Sequence, residues 1–554
     1  MFSIDQNSHS LWDVLPKLQA LARRGQSVTH FVEDIDVAFT ALGSAAFGSE
    51  AQAGRVASDD LRLARERFHH SGGADWGAAL FYSEFLGRLP VDLRDWEPMT
   101  GMKTAALARK LGRSVEELFD EFSPSDNWQL VGPSYVGDRE HHRVIGDLTV
   151  AETAPFIRQI VAKARDDTYR AFPARPSRQR LADWFDRLER QVDGLIARHA
   201  EGCLADLYAD WLAGDLGGTV AIDRTSRLFG LDGRPTGQAS AGQELLETFI
   251  AEYDRAAGLY NAAVSETGSK LRPLDTARGE LPLFAVGEHA GHLVRTPVYL
   301  DGGRLRIDER DFALGAGGRV PRQALAEAGI RCLAGKALLL VIQVRMGDSG
   351  QPLAVPYRGS LYMPAAHRLA AGLADAGLLP GPLCPIVRVR FRLLDRLRGI
   401  DTPIRLPRHL AAAMGEAEVP AGQVGDCHRD LATEAARRLE RLADPDGRAA
   451  WQREAYPDLV GEIDVAEARR RGLAAEGKPD PAVIRPLSQR IRELETDLLE
   501  RTLRQIDRDW QVRELDYWDS RGALRPWALA IGGEEFYNRL LDEAEVYEET
   551  ATGR

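Results

Sequence analysis

The chain has 554 residues, of which 44% are hydrophobic, 28% charged and 7% aromatic, and its formal net charge is −12. That apolar share supports packed cores and excludes wholesale disorder, while the acidic balance disfavours a protein that coats nucleic acid with bulk positive charge. No run reaches the roughly 18 apolar residues of a membrane span, the opening MFSIDQNSHS has no secretory-signal pattern, and four scattered cysteines without a CxxC pair predict neither a disulfide framework nor a zinc module.

Residues 1–125 are expected to be helical. Trp12, Leu15, Leu18 and Leu21 recur at three-residue steps and Phe31, Ile35 and Phe39 at four, the spacing of a helix face. Gly112 splits 104–122 into two helical pieces, and Ser114 with Glu117 has the capping-box spacing that opens the second. This pair has the outline of a DNA-reading helix–turn–helix. Glu116, Glu117 and Asp120 on its second helix would repel phosphate, so a structural pair is expected.

A second region, 126–280, begins with a stretch rich in Pro, Gly, Asp and His. Thr149 with Glu152 repeats the capping box and opens a helix to about residue 170, and a joint at 173–176 precedes an amphipathic stretch over 181–212. Short β-type signals follow in 214–237, then a third capping box at Ser240 and Gln243 and a helix over 245–263.

The third region, 281–410, carries the strand signals of a mixed or α/β sheet. Runs at 293–300 and 304–307 flank Asp301-Gly302-Gly303, a hairpin turn. The apolar, β-branched 337–346 reads as a buried strand. Strands at 353–357 and 386–393 with a helix between them read as a crossover unit. From 411 to 554 the chain returns to helix. A stripe over residues 484–510 packs on its own core or meets a partner or second copy, and the acidic tail 541–549 reads as a solvated helix end. The predicted fold is therefore α+β and predominantly helical, with a central mixed β-sheet region between N- and C-terminal helical regions.

The chemistry points to a basic face. Side chains alternate along a strand, so Arg388, Arg390 and Arg392 share one face of 386–393, and Gln343 with Arg345 would share one face of 337–346. If the two segments neighbour each other, their guanidiniums form a patch suited to carboxylate or phosphate, with Gln343 and Tyr357 as orienting groups. Residues 271–420 hold 20 Lys and Arg against 14 Asp and Glu, inside an otherwise strongly acidic chain. The competing account is that acidic helices of the same chain neutralise this face.

Candidate proton-transfer groups are His141 and His142, beside Asp138 and Glu140, and His289 and His292, in an E-H-x-x-H spacing. Gly and Pro around the second pair argue against a helix, so no metal site is expected. Cys427-His428 lacks a productive geometry for thiol catalysis, and no phosphate-loop or nucleophile-elbow motif occurs, so no cofactor is expected. The sequence reads as a soluble cytoplasmic enzyme or binding protein for a small anionic ligand. The alternative is a non-catalytic scaffold that uses its C-terminal amphipathic helix.

Overall fold

The computed structural model describes residues 1–5, 14–42, 93–122, 129–133, 140–231, 242–269, 271–346, 350–357, 362–475, 481–515 and 524–549, with Trp12, Val91, Val136 and Gly477. Strand β1 (Phe2–Asp5) leads through α1 (Leu15–Arg23) to β2 (Thr29–Val32) and β3 (Phe39–Leu42). Helices α2 (Thr104–Leu111) and α3 (Val115–Phe122) follow, then β4 (Gln129–Pro133), β5 (His142–Arg143), α4 (Val150–Ala171), α5 (Arg175–Arg198), α6 (Leu204–Leu216) and β6 (Ala221–Arg224). After α7 (Gln243–Ala251) and α8 (Tyr253–Glu266) come β7 (Glu280–His289), β8 (His292–Asp301), β9 (Arg304–Ile307), β10 (Arg310–Ala313) and β11 (Ile330–Gly335).

Helix α9 (Ala337–Gln343) is followed by β12 (Leu353–Pro356), α10 (Met363–Asp375), β13 (Ile386–Arg390), β14 (Pro403–Arg405) and β15 (Glu418–Pro420). The remaining elements are α11 (Ala421–Ala443), α12 (Pro445–Ala455), α13 (Pro457–Ala475), α14 (Pro481–Arg513), α15 (Leu524–Asp542, kinked at Gly533) and β16 (Glu545–Glu548). The fold is predominantly helical α+β, with its sheets set among the helical regions.

One sheet has the order β16-β13-β12-β1-β2-β6, parallel from β13 to β6 and antiparallel only at the β16 edge. Read by chain position, its parallel strands run third-second-first-fourth-fifth, the order of a doubly wound sheet whose direction reverses between β1 and β12. Alternation along the strands sends Val32, Ala354 and Val389 into a core with α1, α4–α6 and α15. Phe31, Leu353 and Val355 enter a second core with α7–α10 and the antiparallel sheet β10-β9-β8-β7-β11. A third core joins Trp96, Leu107 and Leu118 to Leu439, Trp451, Leu503 and Ile506, so the N-terminal helices rest on α11, α12 and α14.

Several local expectations hold. Ser114 and Glu117 exchange both capping-box hydrogen bonds, at 2.7 and 3.1 Å, and Thr149 with Glu152 does the same. The α2–α3 pair forms with its turn at Gly112, φ 68°, and Lys110 and Arg113 face Glu495 and Glu500 of α14. The hairpin turn falls at Gly302 and Gly303, both with positive φ, between β8 and β9. Strands β12 and β13 pair in parallel across α10, which is the crossover unit. The stripe on α14 is covered by its own chain, with Leu494, Leu499, Leu503 and Ile506 buried.

Four expectations are corrected. Phe31 and Phe39 lie in strands β2 and β3, so 29–42 is extended rather than helical: the four-residue apolar spacing here comes from two strands joined by a bend. The segment 337–346 begins as helix α9: apolar at every position from 337 to 342, its run is uninformative about period. Gly242, not Ser240, sits at the start of α7, and Ser240 lies outside the described residues. The acidic tail is strand β16, hydrogen-bonded to β13.

Candidate active site

A cavity of about 330 Å³ opens between the C-terminal end of β2 and the antiparallel sheet. In parallel α/β sheets this carboxyl edge is where ligands bind. The residue that follows β2 is Glu33, 6% exposed, whose Oε1 accepts the Ile35 N–H at 3.0 Å. Burial, reinforced by the carboxylates of Asp36 and Asp34, pushes its carboxyl well above the usual range. The neighbouring Asp34 secures the main chain, accepting from Ser226 N at 2.8 Å and from the Ser226 hydroxyl, at the start of the turn that follows β6. Asp36 accepts from Arg295 of β8 at 2.8 Å, and the Arg295 guanidinium also lies 4.3 Å from the Phe284 ring.

The opposite wall is built at the end of β11. Gly335 is required there, since a Cβ would lie 2.7 Å from the Leu340 nitrogen, and its N–H is held by Gln343 Oε1 at 2.9 Å. Lys336 follows, its N–H donating to Pro282 O at 2.7 Å, and then Ala337 with a φ of 25°. Lys336 Nζ donates to Glu280 Oε1 at 2.7 Å. Burial, with the charges of Arg295 and Arg272 adding to it, lowers the Lys336 pKa in spite of Glu280. Burial opposes ionisation of Glu280 as well, but Lys336, the Asp275 N–H and Arg272 outweigh it and hold its carboxyl below the usual range. Tyr260, on α8, is pushed up to about 12, chiefly by burial.

Arg272 and Arg295 bring guanidiniums to the cavity, Asp36 and Glu280 carboxylates, and Glu33 and Lys336 a carboxyl and an amine whose charged forms burial disfavours. Four described non-glycine residues have positive φ. Ala290 and Asp308 sit in hairpin turns, Ala337 lines this cavity, and Arg392 lines a second one. Strain away from turns collects at working sites.

The residues expected from the sequence are placed as follows. Gln343 and Arg345 do not lie on a strand beside β13. Gln343 supports the Lys336 turn, and Arg345 donates to Cys384 O at 2.6 Å. Arg388 and Arg390 do share a face of β13, opposite Val387 and Val389, but their partners separate them. Arg388 pairs with Glu549 at 2.8 Å, Arg390 lies 3.9 Å from the ring of Tyr357, and Arg392, beyond the strand, pairs with Glu545 at 2.6 Å. A single patch of four guanidiniums is not formed.

None of the four candidate histidines lines the cavity. His292 bonds to Asp147 at 2.9 Å, and His142 pairs with Arg295 across β5 and β8. His141 and His289 are stacked at 3.7 Å and converge on Asp308, a grouping with metal-ligand residue types. A metal lies in the plane of each imidazole that binds it, so two nearly parallel rings would have to turn apart to share an ion. His428 is buried, and burial raises the Cys427 thiol, the direction that disfavours its thiolate. Tyr135 and Asp138 lie outside the described residues.

Sequence reasoning missed Glu33 and Lys336. Their signals were the acidic cluster of Glu33, Asp34 and Asp36 directly after an apolar pair, and the Gly335-Lys336 step between two apolar runs. In comparisons with known proteins, no family model, no curated protein and no solved structure matches the chain.

Proposed function

We propose that the chain is an enzyme that performs proton-transfer chemistry on a small substrate bearing a carboxylate or phosphate group, with the cavity beside β2 as its active site. One observation carries this reading: a single cavity holds a carboxyl displaced upward, Glu33, and an amine displaced downward, Lys336. Groups pushed apart in this way can act as acid and base in the same pH range. Arg272, largely exposed at the mouth, and Arg295, deeper inside, hold the anionic group. Glu33 gives a proton to one substrate atom, and the Lys336 amine accepts one from another. Phe284 and Leu340 supply apolar wall that keeps water from the reacting atoms. No described helix is long and apolar enough to cross a membrane, and the four cysteines are free, which fits a reducing cytoplasmic setting.

The test is competitive acetylation with acetic anhydride across a pH series, read by mass spectrometry at Lys336 and at the exposed Lys103. Lys336 should become reactive at lower pH than Lys103, and added succinate or inorganic phosphate should slow Lys336 alone. Matching pH profiles for the two lysines would refute the proposal.

A further inference from the structure

Lys336 stands where an amine is both held still and kept from water. Its backbone N–H donates to Pro282 O at 2.7 Å, Gly335 before it is bound by Gln343, and Ala337 after it is held at a φ of 25°. The root of the side chain is therefore fixed on both sides. The side chain is 23% exposed, and its Nζ is tethered to Glu280 Oε1 at 2.7 Å.

Glu280 does not depend on that tether. Arg272 Nη2 donates to its two carboxylate oxygens at 2.6 and 2.7 Å, and the Asp275 N–H donates to Oε2 at 2.9 Å. The buried carboxylate thus has a guanidinium of its own, so Lys336 can lose its proton without leaving that charge unpaired. A neutral amine keeps two N–H groups, one of which can still bind Glu280, and gains a lone pair. Burial, with Arg295 and Arg272 adding to it, favours that neutral form. Beside an open space, such a lone pair can attack carbon as well as take a proton. The cavity of about 330 Å³ has room for a molecule of a few carbons, and Phe284, Leu340 and Ala337 give it apolar wall. A site that excludes water favours a condensation that releases it.

We infer that Lys336 is a nucleophile that condenses with the carbonyl of a small oxo acid to form an imine, while Arg295 and Arg272 hold the carboxylate. The inference rests on the proton-transfer reading of this cavity and sharpens it, since an imine acidifies the carbon next to it. The Nζ lone pair attacks the carbonyl carbon, and the carbonyl oxygen takes a proton from the Glu33 carboxyl. The Glu33 carboxylate then takes a proton from the attacking nitrogen. As the nitrogen lone pair forms the C=N bond, the C–O bond breaks and the hydroxyl leaves with the Glu33 proton as water. Where the adjacent carbon carries hydrogen, the cationic imine draws in the C–H electron pair and the Glu33 carboxylate takes the proton, leaving an enamine. One amine and one oxo acid give one enamine and one water, with no change of oxidation state.

The experiment is reductive trapping of the intact chain with glyoxylate or pyruvate as probe and sodium cyanoborohydride as hydride donor, read by peptide mass spectrometry. Near neutral pH, Lys336 should gain a saturable adduct at least about ten times faster than Lys103, whose side chain is 86% exposed. Glu33→Gln, verified as folded by circular dichroism, should slow trapping at least about tenfold while Lys336 keeps the acetylation profile of the parent. Trapping no faster at Lys336 than at Lys103 with both probes, or unchanged in Glu33→Gln, would overturn the inference. If either occurs while Lys336 still acetylates at low pH, the amine is a base only, and the proton-transfer reading survives without the imine. Matching acetylation profiles would remove both.

Discussion

Glu33 and Lys336 show how neighbours decide what one side chain can do. Both are short of water, and desolvation moves an acid up and an amine down. For Glu33 the sign of the linkage follows directly. A folded-state pKa above the ordinary 4.5 gives a contribution to stability that is complete below that value and is lost as pH rises through the folded pKa. Glu33→Gln cannot titrate and keeps a neutral hydrogen-bonding group in place. It should therefore match the parent in acid and exceed it at alkaline pH by on the order of 1–3 kcal/mol, read by urea unfolding across a pH series. A variant equally destabilised at every pH would show that the carboxyl carries structure rather than a stored proton. Gln343 teaches a related point: it was expected to meet a ligand, and instead fixes the main chain of Gly335 so that Lys336 faces the cavity.

Among the elements, β16 has the clearest consequence. Its strand adds an acidic edge to β13, and the adjoining Glu549 bonds to Arg388 at 2.8 Å and His367 at 3.2 Å. Burial opposes ionisation of Glu549, but these partners pull its carboxyl down to about 2. Here the sign is opposite: the contribution is present above the ordinary 4.5 and fades as pH falls towards about 2. Glu549→Gln should cost on the order of 2 kcal/mol near neutral pH, with the gap closing in acid, measured by denaturant unfolding at several pH values. The arginines of β13 were legible because strand alternation is a local rule. Their carboxylates were not, since Glu545 and Glu549 lie some 150 residues away and register cannot be read at that range. The same limit explains α9. Apolar at every position from 337 to 342, it carries no period that would tell a helix from a strand. Capping boxes, the Gly302-Gly303 turn and the β12–α10–β13 crossover were legible, since each is set by residues close in sequence.

Across the whole molecule, the three cores are assembled from segments far apart in the chain. Trp96, fully buried, stacks edge-on against Phe122 and Trp510, so it ties the early helices to α14. Trp96→Ala should cost about 3–5 kcal/mol in that core. Hydrogen exchange should rise together in 93–122 and 439–510, while Lys336 keeps its acetylation profile, because the first cavity belongs to the second core. Faster exchange confined to 93–122 would mean that the helices do not share one cooperative unit.

The sheet itself spans nearly the whole chain, pairing β1 at residues 2–5 with a ladder whose antiparallel edge is residues 545–548. A ribosome adding about 5–20 residues per second needs between roughly half a minute and two minutes to pass from one to the other. For the last part of that interval, the 161 residues from Arg388 to Glu549 and so roughly 8–30 seconds, the nascent β13 would present Arg388 without its acidic cover, and a holding chaperone with an acidic, apolar surface is the kind of escort such a chain would need during synthesis.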